Sequence, residues 1–254
     1  MPSKRKLIVG NWKVNPDSAA EAKRIIKETK KAVASLKRTD VVACPPYVYS
    51  NLVLSAKSKT PLELGVQNVW TEPRGSFTGE IGAPMLRDIG VSWVIIGHSE
   101  RRAMGETDEQ VAKKSFEVIE AGMNAIVCVG EKVHDAQGAY LDPLKEQIRN
   151  SLSKISKKSV KQLVIAYEPV WAIGAKDAMD PAVVQEMTIF IKKVLSDIYG
   201  QDEASSVRIL YGGSANFRNA PEIITKGGVD GLLVGRESVN PSGFAEMLKV
   251  VDAL

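Results

Sequence analysis

Eight short apolar runs, each followed by a stretch with helical spacing, constrain this chain more than any other feature of its sequence. The runs are Leu7-Ile8-Val9, Val41-Val42-Ala43-Cys44, Leu64-Gly65-Val66, Trp93-Val94-Ile95-Ile96, Ala125-Ile126-Val127-Cys128, Leu163-Val164-Ile165-Ala166, Val207-Arg208-Ile209-Leu210 and Leu232-Leu233-Val234. They are mostly continuous in apolar character and rich in β-branched residues, as strands covered on both faces must be. Between them, the clearest helical pattern sets Val184, Met187, Ile191, Val194, Leu195 and Ile198 at three- and four-residue spacing, after the start signal Asp180-Pro181. Thr107 and Gln110 have capping-box spacing ahead of a helix over residues 111–121, and Asn240-Pro241 opens the last helix. Strand and helix alternating eight times predict a parallel sheet with right-handed crossovers. An open doubly wound sheet is the structural alternative, but the glycine-rich nucleotide turn expected after its first strand is missing. The eightfold count favours an α/β fold of the closed (β/α)8 TIM barrel type, eight parallel strands ringed by helices. Proline and glycine punctuation falls between elements, so residues 1–254 read as one barrel domain.

Composition closes off other classes. Hydrophobic residues make up 44% and charged residues 25%, which excludes a disordered or collagen-like chain. The net charge of +4 is spread over helix-like runs at residues 23–38 and 154–161 without interleaved aromatics, so solvated helix faces are expected and no nucleic acid partner. A mild attraction for small anionic substrates follows. Cys44 and Cys128 fit neither a disulfide framework nor metal-ligand spacing, which points to a reducing compartment. The basic start is followed by an apolar run only over residues 7–10, too short for a signal peptide, and no segment is long enough to span a membrane. A cytoplasmic protein without a membrane partner is expected.

Barrels of this kind carry their chemistry where strands end and loops begin. After the first run stand Asn11, Trp12 and Lys13; such a lysine is a surface cation, or it holds a developing oxyanion beside an amide. After the fourth comes Gly97-His98-Ser99-Glu100-Arg101-Arg102. His98 is one of two histidines; the other, His134, lies in a polar loop and reads as solvated. After the sixth, Glu168 precedes Pro169 and an apolar loop containing Trp171 and Ile173. Alone it is a solvated strand-end carboxylate, but a loop closing over it would remove its water and make it a stronger base. Tyr211-Gly212-Gly213-Ser214 and Gly235-Arg236-Glu237-Ser238 follow the last two runs. Each is a tight turn by itself, and together they suit a phosphate, bound by backbone N–H groups. A metal-ligand cluster, a nucleophile elbow and a Schiff-base lysine are all missing, so no metal and no cofactor are expected. Metal-free proton transfer beside a carbonyl in a small phosphorylated compound remains.

The stretches Gly10-Asn11-Trp12-Lys13, Gln67-Asn68 with Phe77-Thr78-Gly79-Glu80, Gly97-His98-Ser99-Glu100-Arg101-Arg102, Cys128-Val129-Gly130-Glu131, Tyr167-Glu168-Pro169-Val170-Trp171-Ala172-Ile173-Gly174, Tyr211-Gly212-Gly213-Ser214 and Leu233-Val234-Gly235 resemble the triosephosphate isomerase family over essentially the whole chain. The resemblance implies that Glu168 removes a carbon proton from dihydroxyacetone phosphate or glyceraldehyde 3-phosphate. It implies that neutral His98 polarises the carbonyl and moves protons between the enediolate oxygens. Lys13 would stabilise the developing charge, Asn11 would orient the oxygens, and Glu100 would belong to the charged network beside Lys13. Gly174, Ser214 and Gly235 would give backbone donors to the phosphate, with the Arg236 side chain turned away or meeting it. Pro169, Val170, Trp171, Ala172, Ile173, Gly174, Ala175, Lys176 and Asp177 would form a lid that excludes water. The stretch over residues 67–80 resembles a loop through which these enzymes form homodimers, with Thr78 and Glu80 at its tip and Val14 lining the receiving pocket.

The chain departs from the family at three places. Its lid has Ala175-Lys176-Asp177 where Thr-Gly-Lys is usual, Arg236 stands where a second glycine is usual, and the segment between Arg102 and Glu106 is one residue shorter. A non-glycine residue at a left-handed position costs about 1 kcal/mol, enough to change lid populations severalfold. Two other readings stay open on the sequence: a metal-dependent phosphosugar barrel enzyme such as an epimerase, and a catalytically silent relative kept as an interaction protein.

Overall fold

The computed structural model describes residues 5–57, 60–172 and 179–254. Eight strands, β1 (Lys6–Asn11), β2 (Thr39–Cys44), β3 (Glu63–Val66), β4 (Trp93–Ile96), β5 (Asn124–Val129), β6 (Leu163–Tyr167), β7 (Arg208–Tyr211) and β8 (Gly231–Val234), pair in sequence order. The sheet closes through parallel pairing of β1 with β8, Leu7 opposite Gly231 and Gly10 opposite Val234. Every predicted run lies on one of these strands except for Val207, which stands one residue before β7. The open doubly wound alternative is excluded by the closure.

Successive side chains on a strand point to opposite faces, and both faces here are covered. Leu7, Val9, Val42, Cys44, Trp93, Ile95, Ile126, Cys128, Val164, Ala166, Leu210 and Leu233 pack with one another as one buried cluster. Their neighbours Ile8, Val41, Ala43, Val94, Ile96, Ala125, Val127, Ile165, Ile209, Leu232 and Val234 belong to a second cluster, shared with the helices. The double burial explains why the sequence shows continuous apolar runs and not alternation. Both cysteines are free and buried, and burial pushes the Cys44 thiol well up, leaving it inert.

The predicted helix signals are met in the helix ends. Asp180 accepts the Ala182 N–H at 2.8 Å at the start of the Pro181–Tyr199 helix. Thr107 and Gln110 form a full capping box before the Asp108–Glu120 helix, at 3.2 and 2.9 Å. One expected core position is wrong: Ile198 is 36% exposed, and Tyr199 is buried instead with its hydroxyl donating to the Leu152 carbonyl at 3.4 Å. At the helix end both positions continue the stripe, and the larger aromatic takes the interior. Among the described residues no helix is long and apolar enough to cross a membrane.

A buried ion pair went unseen in the sequence. Lys114, on the core-facing side of the Asp108–Glu120 helix, meets Glu106 and donates to the Asn68 side chain at 2.8 Å. Burial lowers the Lys114 pKa; burial also works against the Glu106 carboxylate, but Lys114 and Arg101 outweigh it and hold that carboxyl below its usual range. Removing one member of such a pair costs about 3–5 kcal/mol because the other is left uncompensated. Through Asn68 the pair ties down the base of the long loop after β3.

Candidate active site

The β1 end is built to aim Lys13. Asn11, the last residue of the strand, is buried and its Oδ1 accepts the Lys13 N–H at 3.1 Å. Lys13 has φ +54°, the one non-glycine residue with positive φ among the described residues. A left-handed lysine costs about 1–2 kcal/mol and persists only where neighbours over-determine it. Asn11 does so from one side, and Gln67 does so from the other, its Nε2 donating to the Lys13 carbonyl at 3.0 Å and the Cys44 carbonyl at 2.9 Å. The ammonium meets Glu100 Oε1 at 2.5 Å. A Cβ added at Gly235 would lie 3.3 Å from Lys13 Cε, so the end of β8 passes directly alongside the lysine stem.

After β4 the chain turns into the short Ser99–Ala103 helix, with His98 at its N-cap. His98 Nδ1 accepts the Glu100 N–H at 3.2 Å, and Nε2 stands 2.9 Å from Glu168 Oε1. An Nδ1 that accepts carries no proton, so this network assigns the neutral ring with its hydrogen on Nε2. Glu100 Oε2 is 3.7 Å from Nδ1, too far for a hydrogen bond.

Glu168 follows β6 and is only 3% exposed. Its Oε2 accepts the Ser99 N–H at 2.9 Å, its Oε1 accepts from His98, and its backbone N–H donates to the Val129 carbonyl at 2.8 Å. Two glycines give it room. A Cβ at Gly130 would fall 1.7 Å from the Glu168 carbonyl oxygen, and one at Gly212 would fall 2.8 Å from Glu168 Cγ. Either methyl would displace the carboxylate. Burial, and after it the charge of Glu168, pushes the Cys128 thiol upward.

Beyond Glu168, the Val170–Ala172 turn is fastened to the end of β5. The Val170 N–H donates to the Glu131 carbonyl at 3.1 Å and the Trp171 indole N–H to Glu131 Oε1 at 2.7 Å. Tyr167 donates its hydroxyl to the same oxygen at 2.8 Å. Buried Glu131 thus accepts from three donors, on β6 and on the turn after it, a role the sequence motif did not disclose because its partners come from elsewhere in the chain. His134 corrects an expectation: it is half-buried, 3.2 Å from Glu131 Oε1, and stacked on Tyr140 with ring centroids 4.0 Å apart. The loop folds back on the Val170–Ala172 turn and so takes most of the ring out of water.

The structure therefore links Lys13, Glu100, His98 and Glu168 in one chain of polar contacts, with Asn11 behind Lys13 and Gly235 beside it. Ser214 stands on the turn after β7, and Arg236 is exposed at the start of the Arg236–Val239 turn after β8. The buried Ser238 hydroxyl donates to the Gly235 carbonyl at 2.6 Å and shapes that turn. Pro169, Val170, Trp171 and Ala172 form the described part of the expected lid; Ile173, Gly174, Ala175, Lys176 and Asp177 lie outside the described residues. Thr78 and Glu80 are exposed on the long loop, as is Phe77 beside Trp70, and Val14 is 95% exposed.

A family model described as triosephosphate isomerase matches residues 6–251. The chain is 39% identical to the triosephosphate isomerase of Endomicrobium trichonymphae over 97% of its length and 98% of that protein. It is 41% identical to the enzyme of that name from Rhodopirellula baltica, with 97% and 98% covered, and 37% identical to that from Dictyoglomus turgidum, with 97% and 99% covered.

Proposed function

Since the chain belongs to the triosephosphate isomerase family, we propose that Glu168, His98 and Lys13 carry the family's reaction as base, proton-bearing electrophile and ammonium. The reaction is the interconversion of dihydroxyacetone phosphate and D-glyceraldehyde 3-phosphate. Glu168 takes the proton from the carbon next to the carbonyl, and the electron pair left behind forms an enediolate. The Nε2–H of His98 is given to the carbonyl oxygen, the ring recovers a proton from the neighbouring hydroxyl, and Glu168 returns its proton to the other carbon. A neutral imidazole paired with a carboxylate base is the pattern for which triosephosphate isomerases are themselves the standing example. Lys13 stabilises the negative charge that builds on the oxygens.

One observation carries this reading most of the way: the buried Glu168 carboxylate has one oxygen on His98 Nε2 and the other on a backbone N–H. Both oxygens are occupied, so this is a resting arrangement. To reach a carbon acid, Glu168 must give up the Ser99 N–H. A hydrogen bond to a charged group is worth about 1.5–3 kcal/mol, which binding of the substrate must offset, and the released oxygen is then a poorly solvated base. Gly235 beside Lys13 and Ser214 on the adjacent turn support a phosphate site there, with exposed Arg236 as an added cation at its rim. Gly174 keeps its assigned role as a third donor, and residues 169–177 that of the lid.

A homodimer is the proposed assembly. Exposed Phe77, Met85, Met104 and Val14 support it, since apolar side chains of this size on one protomer suit a covered surface. The free, buried thiols support a reducing, cytoplasmic setting. Purified protein is expected to convert glyceraldehyde 3-phosphate to dihydroxyacetone phosphate in a coupled assay, with phosphoglycolate competing. A preparation that binds phosphoglycolate yet leaves the ratio of isomers unchanged would contradict the assignment.

A further inference from the structure

We infer that His134 is a positioning residue for the base, acting through Trp171 and Glu131; the inference rests on Glu168 being that base. The segment that carries Glu168 has three fastenings to the end of β5 and the residues after it. Two are backbone bonds, Glu168 N–H to the Val129 carbonyl and Val170 N–H to the Glu131 carbonyl, at 2.8 and 3.1 Å. The third is the Trp171 indole on Glu131 Oε1. Trp171 is otherwise 44% exposed, so the direction of its ring depends on what lies against it.

His134 lies against it. The two ring centroids are 5.0 Å apart at 37°, and on its other side His134 is stacked on Tyr140 at 27°. A sequence of three rings, Tyr140, His134 and Trp171, therefore supports the indole from the side. Such ring contacts favour offset and tilted geometries, as found here. The imidazole also competes for the oxygen that the indole uses. Glu131 Oε1 receives Tyr167 and Trp171 at 2.8 and 2.7 Å and His134 at 3.2 Å, while a carboxylate oxygen offers about two lone-pair directions. The longest of the three bonds is the weakest, so the support His134 gives is chiefly that of its ring.

Loss of this ring frees the indole to leave Glu131 and loosens the turn directly after Glu168. Phosphate donors on β7 and β8 are untouched. Misplacement of a reacting group by even about 1 Å lowers chemical turnover by orders of magnitude, and partial loosening by less. His134→Ala is therefore expected to lower kcat about tenfold with KM nearly unchanged, the split that marks an interaction felt in the transition state. His134→Phe, which keeps a ring between Tyr140 and Trp171 but no hydrogen bond, should recover most of the lost kcat. In the NMR spectrum the Trp171 indole N–H, identified by its absence from Trp171→Phe, should exchange with solvent faster in His134→Ala than in the parent and in His134→Phe.

A His134→Ala protein with parent kcat, or one whose kcat falls while the Trp171 indole exchange stays unchanged, overturns the inference. So does a His134→Phe protein no better than His134→Ala. Glu168→Gln measured alongside separates the two claims: its inactivity with a fully active His134→Ala removes only the role of His134, and its full activity removes the role of Glu168.

Discussion

Glu168→Asp is expected to lower kcat about 100-fold while the affinity for phosphoglycolate stays close to that of the parent. The substitution keeps the charge and removes one methylene, so it isolates reach. In the parent the carboxylate spans between the Ser99 N–H and His98 Nε2, each at 2.9 Å. An aspartate drawn back toward β6 reaches neither at that distance, and the space that Gly212 leaves against Glu168 Cγ is left partly empty. The proposed phosphate donors Ser214 and Gly235 follow other strands, so the substitution leaves them in place. Steady-state kinetics with both trioses, together with phosphoglycolate titration, make the check. A parent-like kcat would remove Glu168 from the chemistry.

Lys13→Met should be comparably severe, with kcat/KM falling about 100- to 1,000-fold, the scale on which losing a donor to a developing oxyanion is felt. The effect has two sources. The ammonium beside Gly235 is lost, and with it a charge close to the substrate's oxygens. Glu100 is also left without its partner at 2.5 Å, while its other oxygen remains 3.7 Å from His98 Nδ1. That free carboxylate pulls a proton toward a ring that must stay neutral, though Glu100 is 55% exposed and water screens part of the pull. Lys13→Met with Glu100→Gln should therefore be less impaired than the two single losses multiplied. If Lys13→Met turns over like the parent, the ammonium has no part in the transition state.

The fold was open to reading because local patterns and the final packing agree. Trp93-Val94-Ile95-Ile96 is β4 from end to end, and Asp180-Pro181 and Thr107 with Gln110 mark their helix starts where the side chains do cap. The proposed site residues are legible in the sequence for a related reason: barrel chemistry sits just past the strands, and Lys13, His98 and Glu168 each stand after a recognisable apolar run. Other features depend on contacts between distant parts of the chain. The φ of +54° at Lys13 is not announced by its neighbours in sequence, since beside Asn11 it needs Gln67, from just after β3, to hold it. Gly130 and Gly212 look like turn glycines until Glu168 is found against both. His134 looks solvated until Tyr140 and Trp171 enclose it. The Glu106–Lys114 pair has no signature in the sequence, because an i, i+8 spacing gives no hint that one segment folds over the other.

The central claim, that Glu168 is the group that moves a proton on carbon, is met most directly by isotope exchange. With parent protein in D2O, NMR should show solvent deuterium entering the triose phosphates at the carbon that gains a proton on isomerisation. Glu168→Gln, still binding phosphoglycolate, should leave those carbon–hydrogen signals intact. Exchange at the parent rate by Glu168→Gln would contradict the account.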